Sequence, residues 1–429
     1  MAYEALDLNR AAHCRLPIRA KIQKTERKRF MENNISRAES GADKQCGTVN
    51  QNENGSSTVS VHAERQISKY ERLSKASVVL FIIAGVSLLL YIVMRLSAPF
   101  SDFFNTYIAS FFRAALAYMT NWYPASVAET MVLLLPLATV AMIFIAVRYY
   151  CLSWRSVLTY VLTVISYVSL IFSLFVFTFA SGYNGSDIDD KLGLERHDVS
   201  AEELYETSLI LADCINKELD SIYFCQDGAS DMMYTYEEMN DKLLKAYDSL
   251  CDDHSFIQRL YSRVKPVLLS EPWSYTHTTG IYTFFTGEAN FNNVFPDYTT
   301  PFTVAHELAH QRGISREDEA NLVAFLVCER SDDPYIRYSG YLNMYQYVAS
   351  ALSRADKDLY REARAELDGR VNGELSAYRE FFKKYQDNVV ANISNTVNEA
   401  GIKFQGSRSY GMVVDLTVAY YKSRENVGD

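Results

Sequence analysis

Three uninterrupted apolar runs constrain this chain more than any other feature. Ala76 to Met94 is nineteen residues without a charge, Thr130 to Val147 eighteen, and Ser156 to Gly182 twenty-seven. At about 1.5 Å of rise per residue, each helix can cross a hydrocarbon core of roughly 30 Å. Three such runs within little more than a hundred residues read as membrane helices rather than as buried helices of a soluble domain. The remainder of the 429 residues is long enough to bury a core of its own.

Charge divides the chain at the same places. Residues 1 to 75 carry fourteen Lys and Arg against nine Asp and Glu, residues 76 to 183 four against two, and residues 184 to 429 twenty-four against forty-one. The expected organisation is a disordered basic cytoplasmic tail over 1–75, a three-helix membrane domain over 76–183, and an outer domain over 184–429. Lys69, Arg72 and Lys75 precede the first run, Arg148 and Arg155 lie between the second and third, and Asp187, Asp189 and Asp190 follow the third. The positive-inside rule then places the amino terminus in the cytoplasm and the carboxyl domain outside, in a multi-pass protein of the cell membrane. Arg95 and Arg113 fall on the outer side against this trend. The segment between them and Glu129 is rich in aromatic residues and reads as an amphipathic helix along the interface. A net charge of −10 excludes a phosphate-binding footprint, so the lipid bilayer is an expected partner and nucleic acid is not. Of seven cysteines, Cys214, Cys225, Cys251 and Cys328 lie in the outer domain, with a spacing that matches no metal knuckle.

Beyond the third run the pattern is mainly helical. Ser200 with Glu203 is a capping box, Tyr236 to Leu250 and Ser255 to Leu269 read as two more helices, and Tyr410 to Lys422 as the last. Between Trp273 and Phe295, Gly and Asn residues punctuate short β-prone runs, which predicts one or two strands.

The chemistry concentrates in His306-Glu307-Leu308-Ala309-His310. On a helix, residues four apart share a face, so both imidazoles can grip one Zn²⁺ while Glu307 serves as the catalytic base toward the attacking water. A catalytic zinc site wants a third protein ligand. The position where a third histidine would follow in one class of such proteins is Arg316, a cation that cannot serve. Glu317 and Glu319 remain. Glu317 is preferred, because Asn321 lies one turn further on its face and could hydrogen-bond a ligand histidine. Ser315 and Asp318 read as the capping box of the helix that carries it. His277, in the strand region, could assist as a proton or hydrogen-bond donor.

The run from VAHELAHQRG to EDEANLVAFLVCERSDDPYIRYSGYLN, with TGIYTFFTGEANFNNV before it and SYGMVVDLTVAYY near the end, resembles a bacterial family of unknown function. Its members are three-span membrane proteins with an extracytoplasmic zincin-like domain, and the likeness covers roughly 76 to 425. The E-x-x-A-N element is also similar to that of gluzincin peptidases, whose first Glu is the third zinc ligand; carried over, it is Glu317 to Asn321. Gluzincins usually leave a longer interval after the second His than separates His310 from Glu317. The resemblance implies a mainly α fold with a small sheet, three membrane helices followed by a zincin-like α+β domain. It also implies that Gly287 to Asn292, with Ala289 and Asn290, is similar in position to the strand edge that holds substrate. A membrane-anchored zinc metallopeptidase acting on peptide or protein outside the cytoplasm is therefore expected. Tyr338, Tyr341 or Tyr410 would contact the oxyanion or substrate. The alternative is a zinc-bearing membrane sensor or scaffold without proteolytic activity.

Overall fold

The computed structural model describes residues 70–151, 153–385 and 409–427, so nearly all of the expected amino-terminal tail lies outside the described residues. Helix α1, Lys75–Leu96, starts at Ser74, whose hydroxyl accepts from the N–H of Ser77. Helix α2, Ala98–Phe103, runs through a wider π turn into α3, Ser110–Asn121. Helix α4, Val127–Ile145, extends in a π turn to Tyr150, and α5 is Trp154–Thr178. Helices α1, α4 with its extension and α5 are long and apolar enough to cross a membrane.

Helices α1 and α5 pack together around Met94, Phe104, Ala109, Val176 and Ala180. Helix α4 buries none of its apolar stretch and is held at its ends. At one end the Tyr160 hydroxyl donates to the Met142 carbonyl. At the other, the Glu288 carboxylate accepts from the N–H groups of Val127 and Ala128, both at 3.0 Å. Lys265 Nζ lies 2.6 Å from Glu288, with side chains only 4% and 1% exposed. A carboxylate at a helix amino end meets the partial positive charge of unpaired N–H groups, which supplements the lysine in meeting its desolvation cost.

The segment expected to lie along the interface is helical and two-faced. Phe103, Tyr107, Phe111 and Trp122 are exposed, whereas Asn105, Ala109, Arg113 and Ala117 are buried against the chain's own domain. Arg113 is therefore not a charge left on the outer surface. Its guanidinium donates to Asn105 Oδ1 at 2.8 Å and to the Asn105 carbonyl, the Thr178 carbonyl and Gln258 Oε1 at 3.0 Å each. Burial lowers its pKa to about 10, which still leaves a cation at neutral pH.

The remainder is mainly α with a small sheet, as expected. Helices α6, Ala201–Glu218, and α7, Tyr236–Asp253, each open on a formed capping box. Three short strands follow: β1, Lys265–Pro266; β2, Gly280–Thr283; and β3, Glu288–Phe291. Their order is β1-β3-β2, with β3 parallel to β1 and antiparallel to β2. Helices α8, Thr300–Gln311; α9, Glu317–Glu329; α10, Pro334–Ala355; α11, Lys357–Ala365; α12, Val371–Tyr385; and α13, Ser409–Val427 complete the chain. One apolar core joins them, with Leu211, Leu308, Phe325, Leu342 and Leu416 fully buried. Ile67–Asp429 forms a single compact unit, so the hydropathy boundary near 183 is not a packing boundary.

The helix expected over Ser255 to Leu269 is not formed. From Arg259 to Val264 burial alternates strictly, with Leu260, Ser262 and Val264 inside. That period of two belongs to extended chain. Tertiary partners satisfy its polar groups: the Leu260 carbonyl accepts from Arg312, and the Val264 N–H donates to Asn240.

Glu374 on α12 is fully buried; its Oε1 accepts from the Ser230 N–H at 3.0 Å, while Oε2 has no partner among the described residues. Burial pushes its pKa from 4.5 to about 7. A carboxyl raised on folding contributes stability that is complete below its unfolded pKa and is lost as pH rises through the folded one. Glu374→Gln is therefore expected to raise thermal stability at pH 8, by on the order of 3 kcal/mol at most, and to change it little at pH 4. Melting curves at both pH values check this; an equal shift at both would contradict it.

Candidate metal centre

Helix α8 carries the HELAH motif after a Pro in its first turn. His306 and His310 lie one turn apart on the same face, ring centroids 4.6 Å from each other. Gly313 then takes a φ of +95°, a left-handed conformation that costs glycine little, and reverses the chain. Glu317 opens α9 immediately afterwards, so the short interval after the second histidine suffices to fold the third ligand back. Glu317 Oε2 lies 3.2 Å from His306 Nε2, and Oε1 lies 3.5 Å from His310 Nε2. One ligand atom from each of the three residues fits within 4.8 Å of the others, a group that could hold a metal ion.

The donor chemistry fits such an ion. His310 Nδ1 donates to the Ile314 carbonyl at 2.7 Å, which leaves its Nε2 lone pair for a metal. Burial alone would raise Glu317, but His310 and then His306 beside it outweigh that and hold the carboxyl well below its ordinary value. Burial works against a charge on His310, yet Glu317 and then Glu307 lift its pKa to about 9. Two imidazoles drawn onto one carboxylate are the arrangement that a cation between them would replace.

Glu307 stands apart from this set. It is 4% exposed, and its Oε2 has no partner among the described residues. Burial pushes its pKa up to about 7 against the opposing pull of His306 and His310, and the Tyr282 N–H donates to it. Gly280, on the same strand, has no room for a side chain: a Cβ there would lie 2.5 Å from Glu307 Oε1. Strand β2 thus runs directly over the carboxylate.

The turn between α8 and α9 is clamped to the membrane helices. Asn105 Nδ2 donates to the Gly313 carbonyl at 3.1 Å, and Ser315 Oγ donates to the Phe179 carbonyl at 2.8 Å. The Phe179 ring packs edge-on against His310, with centroids 5.7 Å apart. Ser315 is therefore not a helix cap as the sequence pattern suggested; Arg316 occupies that position, with no side-chain cap. Arg316 binds Asp187, Glu319 and the carbonyls of Tyr183 and Gly185.

Glu319 is occupied by Arg316 and by the Ile188 N–H at 3.1 Å, so it is not the third member of the cluster. Asn321 does not orient a ligand: His310 uses the Ile314 carbonyl instead, and His306 Nδ1 is buried with no partner among the described residues. Ala289 and Asn290 are in β3, which pairs on both sides, so the edges are β1 and β2, and of these β2 is the one that runs over Glu307. His277 donates Nε2 to the Tyr385 carbonyl at 3.0 Å and packs on Phe382, away from the cluster. Tyr338 is fully buried against Glu374, Tyr335 and Phe224, and Tyr341 packs on Phe325. Neither faces the histidines, because the buried face of α10 points into the helical core. Tyr410 is the second residue of α13, and its side chain lies outside the described residues.

The sequence pattern did not single out Phe179, Tyr183 or Gly280. Phe179 hides in the tail of the third apolar run and Tyr183 directly follows it, while Gly280 reads as turn punctuation. Tyr183 lies close enough to Glu317 for that carboxylate to add to the effect of burial in raising the phenol pKa.

A family model described as "Protein of unknown function (DUF3810)" matches residues 101–418. No curated protein and no solved structure matches the chain.

Cobalt or zinc added at a hundred times its dissociation constant is expected to stabilise the detergent-solubilised chain by about 2.7 kcal/mol. A melting shift present in wild type and in Glu319→Gln, and lost in His306→Ala, His310→Ala and Glu317→Ala, is the expected pattern. A shift that survives Glu317→Ala would contradict the ligand set.

Proposed function

We propose that this chain, which belongs to the DUF3810 family, is a membrane-anchored zinc metallopeptidase with a zincin-like catalytic domain. The observation that carries the reading is Glu307, a buried carboxyl with one oxygen unpartnered among the described residues, set beside three residues of metal-ligand type. A structural metal site has no use for such a group, which argues against a sensor or scaffold. Two imidazoles, one carboxylate and an open position form the donor set of hydrolytic zinc. When bound, the ion supplies Lewis-acid polarisation of the scissile carbonyl and lowers the pKa of the attacking water.

The chain's own groups do the rest. Glu307 takes the proton of the attacking water and returns it to the leaving nitrogen, for which a pKa near the working pH is suited. Gly280 and the Tyr282 N–H fix that carboxylate in place. Tyr183, near enough to Glu317 for that carboxylate to act on its phenol, is the hydroxyl we assign to donate to a developing oxyanion. Strand β2 carries no second strand on its outer rim among the described residues, which suits an extended peptide bound by backbone pairing. The charge distribution along the sequence supports an extracytoplasmic catalytic domain.

Peptide-library hydrolysis by the full chain in detergent tests this. Glu307→Gln is expected to keep one zinc per chain and lose hydrolysis at least a hundredfold; unchanged hydrolysis would contradict the base assignment. Tyr183→Phe is expected to keep zinc and lower kcat ten- to a hundredfold with KM little changed.

A further inference from the structure

The candidate metal centre lies against the end of a membrane helix. Phe179, whose ring packs on His310, is the first residue after α5, and its carbonyl receives the Ser315 hydroxyl of the metal-binding turn. The same turn rests on Asn105, from the segment that joins α2 to α3. On the opposite face of that segment Tyr107 and Phe111 are 69% and 68% exposed. An aromatic stripe continuous with membrane helices belongs in the interfacial layer. One helix diameter of about 10 Å thus separates lipid from the metal-binding turn.

The edge strand β2 also carries an exposed apolar side chain beside the chemistry. Ile281, 45% exposed, follows Gly280, which touches Glu307. Leu268 and Leu269, also exposed, donate their N–H groups to Glu129 in the first turn of α4. Apolar side chains therefore mark both the membrane entry of α4 and the strand beside the catalytic carboxylate. A soluble peptide gives no reason for such placement.

We infer that the substrate is a membrane-anchored polypeptide, acylated or with a single span, cut within a few residues of where it leaves the bilayer. This rests on the reading of the site as hydrolytic. Ten ångströms is about three residues of extended chain, so the scissile bond should fall some three to six residues from the anchor. The open rim of β2 favours a polypeptide over a lipid headgroup as the group held there.

The test uses the zinc-loaded full chain in phosphatidylcholine and phosphatidylglycerol vesicles. One peptide library is offered free and, in parallel, coupled to a dipalmitoyl anchor through spacers of increasing length. Cleavage at least tenfold faster for the anchored form, lost as the spacer lengthens, is the expected result. Equal cleavage of free and anchored peptide would overturn the inference while leaving the peptidase intact. A second measurement needs no hydrolysis: benzoylphenylalanine at position 281 of the Glu307→Gln chain is photolysed with each labelled peptide. Capture of the anchored form alone supports the substrate class even if no cleavage occurs, in which case the hydrolytic reading fails and not the surface. Capture of neither peptide, or of labelled lipid headgroup in preference to anchored peptide, overturns it.

Discussion

The buried guanidinium of Arg113 is the constraint on which the arrangement depends. A cation taken wholly out of water is costly unless its donors find partners, and here four hydrogen bonds come from three parts of the chain. Asn105 belongs to the same interfacial segment, Thr178 ends the third membrane helix, and Gln258 belongs to the extended run leading into the sheet. Gly313 sits directly over this hub; a Cβ there would lie 2.6 Å from Arg113 Nη2. The turn that brings Glu317 back to the histidines can approach so closely only because it carries no side chain at that position.

Function follows from the same packing. The turn that carries the candidate ligands is fastened to Asn105 and Phe179 as well as to the helical core, where Ile314 is buried, so the candidate metal centre and the membrane helices belong to one compact unit. Glu288 on the central strand of the sheet, paired with Lys265 on the neighbouring β1, performs the corresponding task for the second membrane helix. The same sheet carries the edge strand β2, with Gly280 over Glu307. A hydrolytic site built in this way would work at a surface rather than in bulk water.

Much of this was legible in the sequence. The apolar runs announce three helices because hydrophobic length is a local property, and the HELAH spacing announces two ligands because helical periodicity is local too. The preference for Glu317 over Glu319 rests on the E-x-x-A-N resemblance, since the Asn321 contact is not made, and the structure separates the two by giving Glu319 to Arg316 and Ile188. What failed depended on tertiary partners. Ser315 and Asp318 carry a capping pattern, but the hydroxyl is claimed by Phe179 from 136 positions away. Arg113 looked like a misplaced outer charge because nothing nearby in sequence reveals Thr178 or Gln258. Ala289 and Asn290 were assigned to an edge because a strand's neighbours cannot be counted from the strand alone.

The zinc dissociation constant of the full-length chain, set by competition with a chelating dye, bears most directly on this coupling. It is to be compared between wild type and Arg113→Lys, with folding of each followed by tryptophan fluorescence. Lysine keeps the charge but cannot reach Asn105, Thr178 and Gln258 together, and supporting groups behind metal ligands typically contribute about 10- to 100-fold in affinity. Affinity at least tenfold weaker in a folded Arg113→Lys chain is the predicted result. Zinc bound equally tightly by both chains would contradict the dependence of the metal centre on the membrane helices.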